Sequence, residues 1–163
     1  MNSSFLLRKP DKNDSKEIFQ LIKSVGTLDL NSQYLYLLQT THFQNTCSVA
    51  IYNKKIVGFV SGYIIPDDKE TLFIWQVAIS NEVRGQNLAM KIILDIFNKN
   101  NTSNNIKYIL STVSPSNKAS QRVFEKIANK LNTKIENKTL FSIDDFFDAH
   151  EEEIQYLIGP INN

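Results

Sequence analysis

One cysteine, Cys47, stands alone in 163 residues, so no disulfide can form within the chain and a reducing compartment is its natural setting. Excess charge of one sign is also lacking. The 18 basic residues nearly balance the 17 acidic ones, for a net charge of +1. That excludes a global electrostatic footprint for nucleic acid or an anionic membrane. No apolar run approaches the roughly 18 residues needed to cross a bilayer. The amino-terminal Met-Asn-Ser-Ser-Phe-Leu-Leu-Arg-Lys-Pro holds too short an apolar core for a signal peptide. There is no internal repeat. These absences predict a cytoplasmic protein with no nucleic-acid partner, no membrane partner and no metal. With 42% hydrophobic residues the chain can bury a sizeable core, and its length predicts a single domain over 1–163.

What is present is organised around residues 71–97. Thr71 to Ile79 reads as a strand. Leu72, Ile74 and Ala78 are expected on one face, with Phe73, Trp75, Val77 and Ile79 on the other, so the strand should be central. Leu88 to Phe97 reads as a helix in which only Lys91 and Asp95 are charged. Between them lies the polar turn Arg84-Gly85-Gln86-Asn87. A turn that opens a buried helix is suited to anions, because the first helical N–H groups lack partners and the dipole is positive there. Gly85 permits close backbone approach and Arg84 adds a positive charge.

Elsewhere, strands are predicted at 5–8, 47–52, 56–65, 106–113, 138–142 and 154–158. Asp11, with Asp14 in the capping-box position, starts a helix that Gly26 ends. Ser32 caps a second helix running to about His42. Asn98 to Asn105 reads as a polar connector, and Ser114-Pro115-Ser116-Asn117 opens a helix with a buried stripe of Ala119, Val123, Ile127 and Leu131. The strands flanking the long helix should be parallel neighbours, because strand–helix–strand is a right-handed crossover. The fold class is therefore α/β (α+β mixed), with a mixed sheet of about seven strands and four flanking helices.

The strand–turn–helix resembles motif A of the GNAT acyltransferases, in which an Arg/Gln-x-x-Gly-x-Gly/Ala turn holds the pyrophosphate of acetyl-CoA. Here Arg84 to Ala89 takes that place, with Asn87 where the pattern has glycine. Asn is one of the few residues that visits left-handed conformations at small cost. The resemblance implies the GNAT fold, with a splayed parallel pair whose wedge holds the pantetheine arm. It implies a cofactor site of Val77, Ile79, Arg84, Gly85, Gln86, Asn87, Leu88, Ala89 and Asn117. The family's usual tyrosine, which protonates the departing thiolate, is here Phe124.

Four segments carry a closer likeness. Leu28-Asp29-Leu30-Asn31-Ser32-Gln33-Tyr34-Leu35-Tyr36, Phe73-Ile74-Trp75-Gln76-Val77-Ala78, Val113-Ser114-Pro115-Ser116-Asn117 and His150-Glu151-Glu152-Glu153 resemble the diaminobutyrate acetyltransferases of ectoine biosynthesis. That likeness implies acetyl transfer from acetyl-CoA to the γ-amine of L-2,4-diaminobutyrate, and a homodimer. The substrate carries two ammonium groups, so carboxylates should dominate one end of its pocket. Asp29, Tyr34, Trp75, His150 and Glu153 are the substrate residues implied. Glu153 is the candidate base, His150 the alternative, and a backbone N–H near Val77 the oxyanion donor. Taken singly, each has an ordinary reading: a turn-forming Asp, a packing Tyr or Trp, a surface His, a solvated glutamate run. Cys47, on an apolar strand, is expected to be buried and inert. Two other readings stay open: an N-acetyltransferase for another small diamine or amino acid, and a non-catalytic acyl-CoA-binding module.

Overall fold

The computed structural model describes residues 4–162. Its strands and α-helices follow in the order β1 (Leu6–Arg8), α1 (Ser15–Val25), α2 (Gln33–Gln39), β2 (Ser48–Tyr52), β3 (Lys55–Ile65), β4 (Asp68–Ile79), α3 (Leu88–Asn104), β5 (Tyr108–Val113), α4 (Lys118–Lys130), β6 (Ile135–Phe141) and β7 (Glu153–Ile158). The strands form one sheet in the order β1-β2-β3-β4-β5-β7-β6. Among the described residues only the central pair, β4 and β5, is parallel. The mixed sheet with four helices agrees with the fold expected from the sequence.

Both faces of the sheet are covered, by different helices. Ile92, Ile93, Ile96 and Phe97 of α3 and Phe124 and Ile127 of α4 pack with Leu72, Ile74, Ile109 and Val113 on one side. Ile18 and Ile22 of α1 and Tyr36 of α2 pack with Val49, Phe59 and Ala78 on the other. Ala78 therefore does not share a face with Leu72 and Ile74. The reason is a β-bulge. Val60 pairs with Val77 and Gly62 with Ile74, so three steps along β4 oppose two along β3. One extra residue reverses side-chain parity, and Val77 and Ile79 turn toward α3 instead.

Several boundaries depart from the sequence reading. α3 continues through the expected polar connector to Asn104. Its polar last turns are held by buried Asn100, whose Nδ2 donates to the carbonyls of Asn45 and Ile96, each at 2.9 Å. Asn105 then stops it in the left-handed region at φ 52°. Asparagine does work here that glycine does elsewhere: Asn53, Asn87, Asn105 and Asn132 all have positive φ. α2 stops at Gln39, short of His42, because the hydroxyls of Thr40 and Thr41 turn back onto the carbonyls of Tyr36 and Leu37 at 2.8 and 2.7 Å. β6 starts at Ile135, ahead of Lys138, because Ile135 already pairs with Ile158 of β7. The buried stripe of α4 centres on Phe124, Ile127 and Ala128, while Ala119 is exposed.

Candidate active site

The parallel pair supplies the cleft. β4 and β5 are paired only from Thr71 opposite Tyr108 to Phe73 opposite Leu110. The Ser111 hydroxyl still reaches the Ile74 carbonyl at 2.9 Å. Beyond that the strands part. Gln76 N–H donates to the Ser61 hydroxyl at 3.2 Å and Ser80 N–H to the Val57 carbonyl at 2.8 Å, both toward β3. Strand alternation then directs the backbone groups of Val77 and Ile79 to the unpaired edge. Both residues thus lie on the stretch of that edge where β4 is no longer paired with β5.

The turn from Arg84 to Ala89 closes one end. Arg84, Gly85 and Asn87 are exposed, and Gly85 lies at φ +79°. A methyl group built on Gly85 would meet nothing within 4 Å, so the space above the turn is open. Asn87, at φ 55°, precedes α3 but makes no capping hydrogen bond to it. The contrast within the chain is instructive. Ser32 caps α2 through the Leu35 N–H, and Asn117 caps α4 through the Ser120 N–H. The first-turn N–H groups of α3 are left uncapped beside Arg84, an arrangement that fits a diphosphate. Leu88 is buried and Ala89 half-buried. With its side chain buried, Leu88 has its N–H and not its side chain to offer a ligand at this turn.

Asn117 spends its side-chain oxygen on that cap, at 3.1 Å from the Ser120 nitrogen. Its amide NH2 is the group that can meet a ligand. Phe124 is buried, with its ring centroid 6.4 Å from that of Tyr156.

A second group of side chains lies on the sheet face that bears α1 and α2. Gln76 is buried there and does a job the sequence reading missed. Its Nε2 donates to the Asp29 carbonyl at 2.7 Å, and its Oε1 accepts from the Tyr36 hydroxyl at 3.2 Å. The same hydroxyl accepts from Asn31 N–H at 3.3 Å. These bonds pin the loop before α2 to β4 and leave the Asp29 carboxylate exposed. Trp75, next to Gln76, is 46% exposed and rests edge-on against Tyr63. Tyr34 sits in the first turn of α2, 68% exposed.

His150 and Glu153 come from the far side of the wedge. The His150 ring stacks on Phe146 with centroids 3.9 Å apart, and its Nδ1 donates to the Glu151 carbonyl. That bond assigns the proton to Nδ1 and leaves Nε2 facing Glu153 Oε1 at 3.9 Å. The three consecutive glutamates have separate fates. Glu151 accepts from the backbone N–H and hydroxyl of Ser116, tying its loop to the start of α4. Glu152 accepts from the Thr139 hydroxyl at 3.0 Å. Of the three carboxylates, that of Glu153 faces the histidine. By register, Glu153 pairs with Phe141 of β6 at the start of β7.

Cys47 is 3% exposed, and burial pushes its thiol up to about 12 against the small lowering from a hydrogen bond with Gly62. It is no nucleophile at neutral pH. Among the described residues no three His, Cys, Asp or Glu side chains converge on a metal position, and no helix is long and apolar enough to cross a membrane.

The model of the acetyltransferase (GNAT) family matches residues 15–129. The chain belongs to the GNAT family. Within it, L-2,4-diaminobutyric acid acetyltransferase of Halalkalibacterium halodurans is 37% identical over 163 residues, covering 99% of this chain and 85% of that protein. The enzyme of the same name from Marinococcus halophilus is 39% identical over 158 residues, covering 96% and 91%. Diaminobutyrate acetyltransferase from Paenibacillus lautus, solved with L-2,4-diaminobutyric acid and coenzyme A, superposes with a TM-score of 0.92 at 35% identity, covering 99% of this chain and 98% of that one. In this GNAT chain the wedge, the uncapped α3 and the bulge of β4 form one continuous feature. The bulge turns the side chains of Val77 and Ile79 toward α3, and the same strand leads through the short turn Asn81–Val83 to the residues that open α3.

Proposed function

We propose that this protein transfers the acetyl group of acetyl-CoA to the γ-amine of L-2,4-diaminobutyrate, giving the N4-acetyl product used in ectoine biosynthesis. The observation that carries the reading is the near-complete match to a diaminobutyrate acetyltransferase holding both diaminobutyrate and coenzyme A. The 163 residues act as one GNAT domain. Arg84 and the backbone of Gly85, Gln86, Asn87, Leu88 and Ala89 hold the diphosphate, while Val77, Ile79 and the Asn117 amide hold the arm. Bound there, acetyl-CoA supplies an activated acyl group as its thioester. Asp29 and Glu153 bracket the diammonium substrate, Trp75 walls it by cation–π attraction, and Tyr34 and His150 hydrogen-bond it.

An alkylammonium has a pKa of about 10 and must lose a proton before it can attack. Glu153 takes that proton, directly or through a water. His150 is the alternative acceptor, because its Nε2 lone pair lies on the Glu153 side. Val77 N–H donates to the carbonyl oxygen where negative charge develops. Phe124 has no proton to give the thiolate, so that proton comes from another group or from solvent. The protein works in the cytoplasm as a homodimer; exposed Leu37, Phe141, Ile143 and Phe147, on segments near the amine residues, support an apolar contact between copies.

Mass spectrometry of the product formed from acetyl-CoA and diaminobutyrate tests the assignment. Acetyl on the γ-nitrogen, and a lower kcat/KM for ornithine, are expected. Acetyl on the α-nitrogen, equal use of ornithine, or no transfer would each refute it.

A further inference from the structure

We propose that Lys126 of α4 is a second cation of the diphosphate site, aimed across the wedge by Asn87. The proposal rests on the acetyl-CoA reading above and adds a ligand-binding residue to it.

Four observations meet at this point. Asparagine is among the strongest helix-capping residues, yet Asn87 caps nothing. Its Oδ1 instead accepts a hydrogen bond from Lys126 Nζ at 2.9 Å, joining the anion turn to a helix 39 residues further along the chain. Phe124 and Ile127 are the buried residues of α4 at this level, so Lys126 leaves the helix on its flank, over the turn. Neither Lys126 nor Arg84 forms an ion pair among the described residues.

The physical consequence follows from the kind of partner. A lysine held by a carboxylate has its charge neutralised, whereas one held by a neutral amide keeps it for a ligand. An ammonium uses one of its three protons on Asn87 and has two left to donate. The turn therefore has two cations that form no ion pair among the described residues, its own Arg84 and Lys126 from α4, beside uncapped N–H groups and the open space over Gly85. A diphosphate placed there is bound from both sides. Asn87 thereby explains its own presence in a turn whose family pattern has glycine. It adopts the same left-handed backbone at φ 55°, and it adds a side chain that positions the lysine.

The experiment is isothermal titration of coenzyme A, and of dephospho-coenzyme A lacking the 3′-phosphate, into the full-length protein and its Lys126→Met, Asn87→Gly and doubly substituted forms. Steady-state kinetics with diaminobutyrate accompany it. Lys126 is exposed, so the substitution should leave the thermal midpoint unchanged. Lys126→Met is expected to raise the Kd about tenfold for both cofactors, with a shallower salt dependence. The KM for acetyl-CoA should rise with it, while the KM for diaminobutyrate and kcat stay within about twofold. Asn87→Gly should weaken binding less, and the double substitution should add little to Lys126→Met, since both remove one interaction. An unchanged Kd in Lys126→Met overturns the proposal. So does a loss seen with coenzyme A but not with its dephospho form, which would put the lysine on the 3′-phosphate. Failure of the unsubstituted protein to bind either cofactor would overturn the functional reading itself, and the lysine's role with it.

Discussion

Replacing Gln76 by leucine separates what β4 does for the amine pocket from what it does for the cofactor. Gln76 is buried and nearly the size of leucine, so the strand and the bulge should survive. Two hydrogen bonds disappear, one to the Asp29 carbonyl and one from the Tyr36 hydroxyl. The Asp29 carbonyl can turn to water. Tyr36 is fully buried, so its O–H loses its acceptor at a cost of about 1–3 kcal/mol. Leucine's apolar burial offsets about 1 kcal/mol of the total. A net loss of up to about 2 kcal/mol should lower the midpoint of thermal unfolding by up to about 8 °C for a chain of this size. The functional effect should be larger. With its carbonyl released, the Asp29 carboxylate no longer meets an ammonium in a fixed geometry. A charge-assisted hydrogen bond is worth about 1.5–3 kcal/mol, or roughly 10–150-fold in kcat/KM for diaminobutyrate. The acetyl-CoA KM should stay the same, because Val77 and Ile79 present the opposite edge of the strand to the wedge. Tyr36→Phe, which removes only the hydroxyl, should act in the same direction by less. Steady-state kinetics in both substrates, beside a urea titration, is the assay. A lowered unfolding midpoint with unchanged kcat/KM for diaminobutyrate would refute the idea that Gln76 aims the loop.

Three further outcomes are expected. Glu153→Gln should reduce kcat by about 10²–10⁴, whereas Glu151→Gln should not; equal losses in both would detach Glu153 from proton transfer. Cys47 should resist a thiol reagent in the folded protein and react once unfolded, since a thiol at about 12 leaves roughly one thiolate in 10⁵ at pH 7, and Cys47→Ala should keep its turnover. At Asp14, burial pushes the carboxyl up, but hydrogen bonds from the Arg8 guanidinium and Asp11 N–H, with the guanidinium charge, outweigh it and hold it below the ordinary value. A lowered folded-state pKa gives stability that is full above the unfolded value of about 4 and is lost as pH falls through the folded one. Asp14→Asn should therefore destabilise by about 1–3 kcal/mol at neutral pH, and its difference from the unsubstituted protein should shrink below about pH 4 in denaturant titrations.

The pattern of apolar residues was enough to locate β4, the buried part of α3 and the turn between them, because each carries a period that only one element satisfies. It failed where the signal is a single residue. The β4 bulge shifts register by one within a strand apolar on both faces, so nothing local marks it, and Ala78 was expected beside Leu72. The last turns of α3 look like a loop because most of their polar side chains face water, with Asn100 buried beneath them. Glu151, Glu152 and Glu153 are chemically identical in the sequence. Their partners, Ser116, Thr139 and His150, come from three different distances along the chain. Gln76 did leave a trace, as the one amide in an otherwise apolar run from Phe73 to Ala78.

Local sequence alone determined where most strands and helices lie and that a polar turn with Gly85 and Asn87 opens α3, since both depend on side-chain period and backbone preference within a few residues. Tertiary structure alone decided that Gln76 holds Asp29 in place, that one glutamate of three meets the histidine, and that Lys126 hangs over Asn87. The first and last join residues 47 and 39 positions apart, and the second was decided when Ser116 and Thr139, from other elements, took up Glu151 and Glu152; the forces that make these contacts act through space, not along the chain.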